Sequence, residues 1–163
     1  MLKLTRKADY GLISLKHLAM RGSSSSAKEI ADTYGIPLAL LSKVLQKLAR
    51  AKFLISEHGT NGGYRLARDP KVLTVLEVIR SIDGPIFLNW CYTEGASCSV
   101  SDKCNVREPL RKVHEGIQNL LASLTIADMC EEEDAGPECG PGVPVLPNGL
   151  ATAGDFVRIS DSL

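Results

Sequence analysis

The chain has 163 residues, 44% of them hydrophobic, with 19 Lys and Arg against 19 Asp and Glu. That length holds one domain, or a small domain with appendages, and no apolar run approaches the ~20 residues needed to span a bilayer. The start "MLKLTRKADYGL" lacks the long apolar core and cleavage site of a secretory signal, so a cytoplasmic location is expected, where thiols stay reduced and clustered cysteines bind metal or sense redox state.

The neutral total conceals two unlike halves. Residues 1–71 carry thirteen Lys/Arg and five Asp/Glu, and residues 72–163 carry six against fourteen. A basic first half suits a polyanion, most simply nucleic acid. In chain order, Thr5 is placed to cap a helix that runs to about Arg21 and stops at Gly22. "SAKE" at 26–29 matches a capping box for a short helix ending at Gly35. "IPLALLSKVLQKLARA" follows, with Pro37 near its N-terminus and Leu41, Val44, Leu45 and Leu48 on one face. Its other side carries Ser42, Lys43, Gln46, Lys47 and Arg50, of which Ser42, Lys43, Gln46 and Lys47 are the expected DNA contacts. Two short helices, the second basic on its outer face, predict a helix-turn-helix whose second helix enters the major groove.

"FLIS" at 53–56 and "YRLA" at 64–67 read as strands around the glycine-rich "EHGTNGG". A hairpin at that place is a wing. His58, Thr60, Asn61 and Arg65 are its candidates for phosphate or minor-groove contact. "LTVLEVIRSIDG" predicts a further helix with a Thr74/Glu77 capping box and Gly84 as its stop. A long helix is expected from about Asn105 to Met129. Its apolar residues Val106, Leu110, Val113, Ile117, Leu120 and Leu124 are spaced four and three apart, the seam of a coiled coil, which suits a partner helix and hence a homodimer. Beyond it lie four prolines and five glycines in the last 33 residues, a composition expected of a disordered tail. The expected fold is mainly α with a small β-hairpin: a winged helix-turn-helix over 1–84, a cysteine loop over 85–104, a dimerisation helix over 105–129 and a tail over 130–163. No carboxylate motif, phosphate loop or triad suggests an enzyme.

Within the loop, Cys91, Cys98 and Cys104 have six and five residues between them. A zinc site favours C-x2-C pairs with four ligands, and neither pair is present. Wide spacing on a loop suits a larger object, such as an iron–sulfur cluster whose irons are ligated separately. Free, unligated thiols are the alternative.

"LTRKADYGL", "LSKVLQKLARAKFL", "HGTNGGYRLARDP", "LTVLEVIRSIDG" and three cysteines before a long helix together resemble the IscR/NsrR/RirA type of bacterial winged-helix regulators, the Rrf-two superfamily. The resemblance covers about residues 1–129. It implies a homodimeric factor, usually a repressor, that binds double-stranded DNA under the control of an iron–sulfur cluster on Cys91, Cys98 and Cys104, with 4Fe–4S favoured over 2Fe–2S. Three departures stand out. The first cysteine gap is one residue longer than usual. The histidine ligand of the IscR branch is replaced by Arg107, a permanent cation. The wing opens with His58-Gly59 where Arg-Gly is usual. In the nitric-oxide-sensing branch an aspartate from the partner subunit completes the cluster, and Asp9 stands at the matching position. Glu94, Asp102, His114 and Cys130 are the other candidates; His114 is expected at the surface and His17 in helix packing. The resemblance points first to control of cluster-assembly genes, second to nitric-oxide sensing, and third to a thiol- or zinc-dependent regulator without a cluster.

Overall fold

The computed structural model describes residues 4–57, 62–93, 95 and 97–131. Helix α1 spans Arg6–Arg21. The Thr5 side chain accepts the Ala8 N–H, and Gly22, left-handed at φ 64°, closes the helix by donating to the Leu18 carbonyl. Helix α2 spans Ala27–Tyr34 and ends at Gly35. Half of its expected capping box forms: Ser26 accepts the Glu29 N–H, but the Glu29 carboxylate pairs with Arg21 across from α1. Helix α3 spans Leu38–Arg50, with Pro37 at its N-cap and Leu41, Val44, Leu45 and Leu48 buried as their spacing requires.

The hairpin consists of β1, Leu54–Glu57, and β2, Gly63–Leu66, antiparallel with Leu54 opposite Leu66 and Glu57 opposite Gly63. Both strands are displaced by one residue from the sequence expectation. Ser25 exchanges both backbone hydrogen bonds with Tyr64, so the α1–α2 connection lies against the wing as a third partial strand. This contact explains Gly63: a Cβ there would sit 2.6 Å from the Ser25 carbonyl oxygen.

Helix α4 spans Val75–Asp83 and has the full Thr74/Glu77 capping box. The long helix of the sequence expectation is corrected. Helix α5 covers Arg107–Ser123, and a separate α6 covers Ile126–Glu131. Two backbone bonds cause the break. Val75 N–H donates to the Leu124 carbonyl and Ile126 N–H to the Leu73 carbonyl, both at 2.9 Å, which holds 124–126 extended. Thr125 and Asp128 then cap α6 reciprocally, and Ile126 is fully buried. Cys130, expected in the tail, therefore lies on α6 with its Sγ 3.2 Å from the Ile126 carbonyl. The expected tail beyond Glu131 lies outside the described residues.

One core joins these elements. Leu15, Leu18, Ile30, Leu45, Ile79 and Ile126 are almost wholly removed from water, each worth about 2 kcal/mol by area. Helix α1 packs on α3, α4 and α6, and at Gly11 a Cβ would have to displace the tip of the Ile82 side chain of α4. Helix α5 has no buried residue. Val106, Val113 and Leu120 of its seam are 53%, 50% and 36% exposed. No described helix is long and apolar enough to cross a membrane.

Candidate functional site

The face expected to meet DNA is built on α3. Its buried stripe anchors the helix, so the side chains a quarter-turn away must face solvent. Lys43 and Gln46 are exposed, and Ser42 is half-buried at the edge. With Lys47, Arg50, Ala51 and Ser81, Lys43 and Gln46 line a groove of about 650 Å³. Lys47 is exposed along its stem, but its ammonium is already engaged, donating to the Ile82 carbonyl at 2.7 Å. On the wing, Arg65 is exposed and forms an ion pair with Glu57 at 2.6 Å. His58, Thr60 and Asn61 lie outside the described residues.

Sequence reasoning passed over the apolar tip of this helix. Leu38 is 45% exposed, and Ala39 is exposed beside it. Apolar groups at the N-terminal end of a recognition helix suit contact with the thymine methyl. The signal was available only for Ala39, because position 38 continues the 41/45/48 spacing and reads as part of the buried stripe. His17 is a packing residue, as expected. Its two ring nitrogens lie 3.2 Å from the Tyr34 hydroxyl and the Ser25 Oγ. Burial, and then the nearby Arg21, hold its pKa below the usual imidazole value, so the neutral ring ties α1 to α2.

The cysteines occupy a separate region. Cys91 lies in a single 3-10 turn, Trp90–Tyr92, and Cys104 follows another, Ser101–Lys103. Cys91, Cys98 and Cys104 are half-buried free thiols, and all three line one cavity of about 330 Å³ with Ser97, Ser101 and Arg107. Among the described residues, no three Cys, His, Asp or Glu side chains gather closely enough to hold a single metal ion. The thiols thus share a space wider than a one-ion site, bounded on one side by a permanent cation. Three soft donors around such a space fit an iron–sulfur cluster by donor type.

The candidate fourth ligands separate clearly. Asp9 is exposed in the first turn of α1, has no side-chain partner among the described residues, and does not line the cysteine cavity of its own chain. Asp102 is exposed and accepts the Ser101 hydroxyl at 3.2 Å. Cys130 is held on α6. Glu94 lies outside the described residues. His114 corrects its expectation. It is half-buried, stacked at 5.3 Å on Tyr92 and at 6.2 Å on Phe87, with Gln118 at 2.9 Å from its Nε2. Local spacing cannot show this, because Phe87 and Tyr92 come from a different segment. The Tyr92 hydroxyl donates to the Arg107 carbonyl at 2.7 Å. Desolvation, with the adjacent Cys91, pushes that phenol above its usual pKa, so it stays a donor.

Comparison with known proteins gives the family. Residues 4–132 match the family model Rrf2, described as an iron-dependent transcriptional regulator. Among solved structures, CymR, the global cysteine regulator of B. subtilis, superposes with a TM-score of 0.68 at 27% identity, covering 81% of this chain and 98% of its own. IscR of T. potens superposes with a TM-score of 0.63 at 30% identity, covering 85% of this chain and 94% of its own. The mainly helical winged fold, the exposed basic recognition helix and the family match over residues 4–132 lead to one conclusion: this chain is a member of the Rrf2 family of DNA-binding transcriptional regulators, not an enzyme.

Proposed function

We propose that this regulator is a homodimeric repressor whose grip on double-stranded DNA is set by an iron–sulfur cluster on Cys91, Cys98 and Cys104. The observation that carries the reading is that these three thiols line one cavity wider than a single-ion site. The cluster, when bound, supplies iron-centred redox and ligand-exchange chemistry. The chain supplies three thiolates and, in Arg107, a fixed charge that offsets the negative charge of a thiolate-ligated centre. The fourth ligand in this reading is Asp9 of the partner subunit. Its support is an exposed carboxylate with no partner among the described residues, outside the cysteine cavity of its own chain. A carboxylate is a hard ligand for this iron and is lost more readily than thiolate, which suits a sensor. Ser42, Lys43 and Gln46 read or hold the major groove, and Arg65 with His58, Thr60 and Asn61 belongs to the wing contact. Control of cluster-assembly genes is the physiological reading we favour, with nitric-oxide sensing next.

A second reading, a thiol-based regulator without iron, is favoured by the similarity to the global cysteine regulator of B. subtilis. Native mass spectrometry of protein purified without oxygen separates the two, with Asp9→Ala beside the wild type. The expected result is a dimer with the mass of a 4Fe–4S cluster, which Asp9→Ala loses or holds only weakly. A 2Fe–2S mass indifferent to Asp9 moves the fourth ligand elsewhere. Metal-free protein that binds DNA tightly supports the thiol reading.

A further inference from the structure

Three consecutive residues at the end of α4 hold three different parts of the molecule. The first is Ile82, whose carbonyl accepts the Lys47 ammonium of α3 at 2.7 Å. The last carbonyls of a helix have no partner within it and carry the negative end of its dipole, so a cation there satisfies both. The Ile82 side chain fills the niche at Gly11 of α1, where the Val44 side chain of α3 also comes close. Next, the Asp83 carboxylate accepts the Thr5 hydroxyl at 2.8 and 2.9 Å, and Thr5 is the N-cap of α1. The third, Gly84, turns the chain out of α4 at φ 88° toward the cysteine segment.

The start of that segment is tied down as well. The Gln118 amide donates to the Ile86 carbonyl at 3.3 Å, and Arg80 of α4 donates to Gln118 at 3.0 Å. A displacement at the start of the cysteine segment therefore meets α4 twice, through the chain at Gly84 and through the Gln118–Arg80 contact, and α4 meets the recognition helix through Lys47.

We infer that Lys47 is a positioning residue and not a phosphate contact: it is the strut through which the end of α4, and with it the cysteine segment, sets the lay of the recognition helix. The regulatory half of this inference rests on the cluster-controlled reading above; the strut itself does not. Coupling between sites requires an element that both ends bias, and the α4 terminus is bonded to α3, to α1 and to the cysteine segment.

The test compares full-length wild type, Lys47→Met and Lys43→Ala on a duplex obtained by in vitro selection with the wild-type chain. Affinity is measured against salt without oxygen, before and after removal of iron by a chelator, and amide exchange is followed in the chelated protein. Lys43→Ala is expected to lower the salt slope by about one, as loss of one phosphate contact does. Lys47→Met, which keeps the unbranched stem, is expected to leave the slope unchanged. It should speed exchange in the last turns of α3 and α4. It should also shrink the affinity difference between the two iron states to within about twofold, from roughly tenfold or more in the wild type. A slope loss equal to that of Lys43→Ala, with unchanged exchange, makes Lys47 a DNA contact and overturns the inference. If the wild type binds equally with and without iron, the cluster-controlled reading falls, and slope and exchange alone decide the strut.

Discussion

Lys52 has the most unusual backbone among the described non-glycine residues, a left-handed φ of 62°. It follows the last turn of α3, where the Phe53 N–H returns to the Leu48 carbonyl and the Lys52 N–H to the Ala49 carbonyl, both at 3.0 Å. That pairing is the Schellman closure, whose left-handed position favours glycine because a Cβ there crowds the backbone. Lys52→Gly is therefore expected to stabilise the protein by about 1 kcal/mol, less a few tenths for the freer unfolded chain. The melting temperature should rise by roughly 3 °C. A flat or lower melting temperature in calorimetry would show that the lysine side chain contributes something the backbone geometry hides. Legibility at this scale was uneven. Thr5, Gly22, Thr74 and Gly84 announced their caps because capping is a local bond between neighbours. Lys52 announced nothing, since a lysine after a basic helix reads as more of the same helix.

Among the elements, α6 was hidden in the sequence by the regularity of its surroundings. The four-three spacing runs unbroken through Leu124, so periodicity continues the helix. What stops it is tertiary: Leu73 and Val75 take the backbone groups of Leu124 and Ile126. The cap T-x-x-D at 125–128 was the readable trace, and it fits the capping box with aspartate in place of glutamate. The Thr125 backbone N–H, and then its hydroxyl, hold the Asp128 carboxyl below the usual carboxylate pKa. A folded pKa below the unfolded one contributes stability above the unfolded value and loses it as pH falls through the folded value. Amide protection at Thr125 and along α6 is thus expected to decline below about pH 4 in the wild type, where a free aspartate begins to protonate. Asp128→Asn should show no titration of its own over that range. Identical pH profiles by NMR would remove Asp128 from the account. Gly11 teaches the same lesson at a crossing. Within its own helix it is only a weak helix former, and its reason is Ile82 on α4.

At the scale of the whole molecule, Val113 and Leu120 of the α5 seam are left exposed by their own chain, whereas Leu124 at its end packs on the core. Beside the seam, Leu121 packs on the core and Gln118 meets α4. A helix with one face docked and a coiled-coil seam open suits a second copy. Val113→Glu is expected to shift the protein from dimer to monomer in sedimentation, because a carboxylate at the centre of such a seam stays buried only at high cost. Binding to a two-half-site duplex should then weaken by at least about tenfold, since the second head no longer benefits from the first. An unchanged sedimentation coefficient would place the contact elsewhere. By itself the sequence determined the order of the elements from α1 to α4, the buried stripe of α3, the hairpin and the three thiols on one short segment. Each of these follows from local spacing, capping and turn chemistry. Only the tertiary structure decided that α6 breaks from α5, that His114 stacks on Phe87 and Tyr92, that the three thiols share a cavity with Arg107, and that Lys47 is bonded to α4. Those outcomes depend on backbone and side-chain groups brought together from segments far apart in the chain, and no periodicity encodes such a meeting.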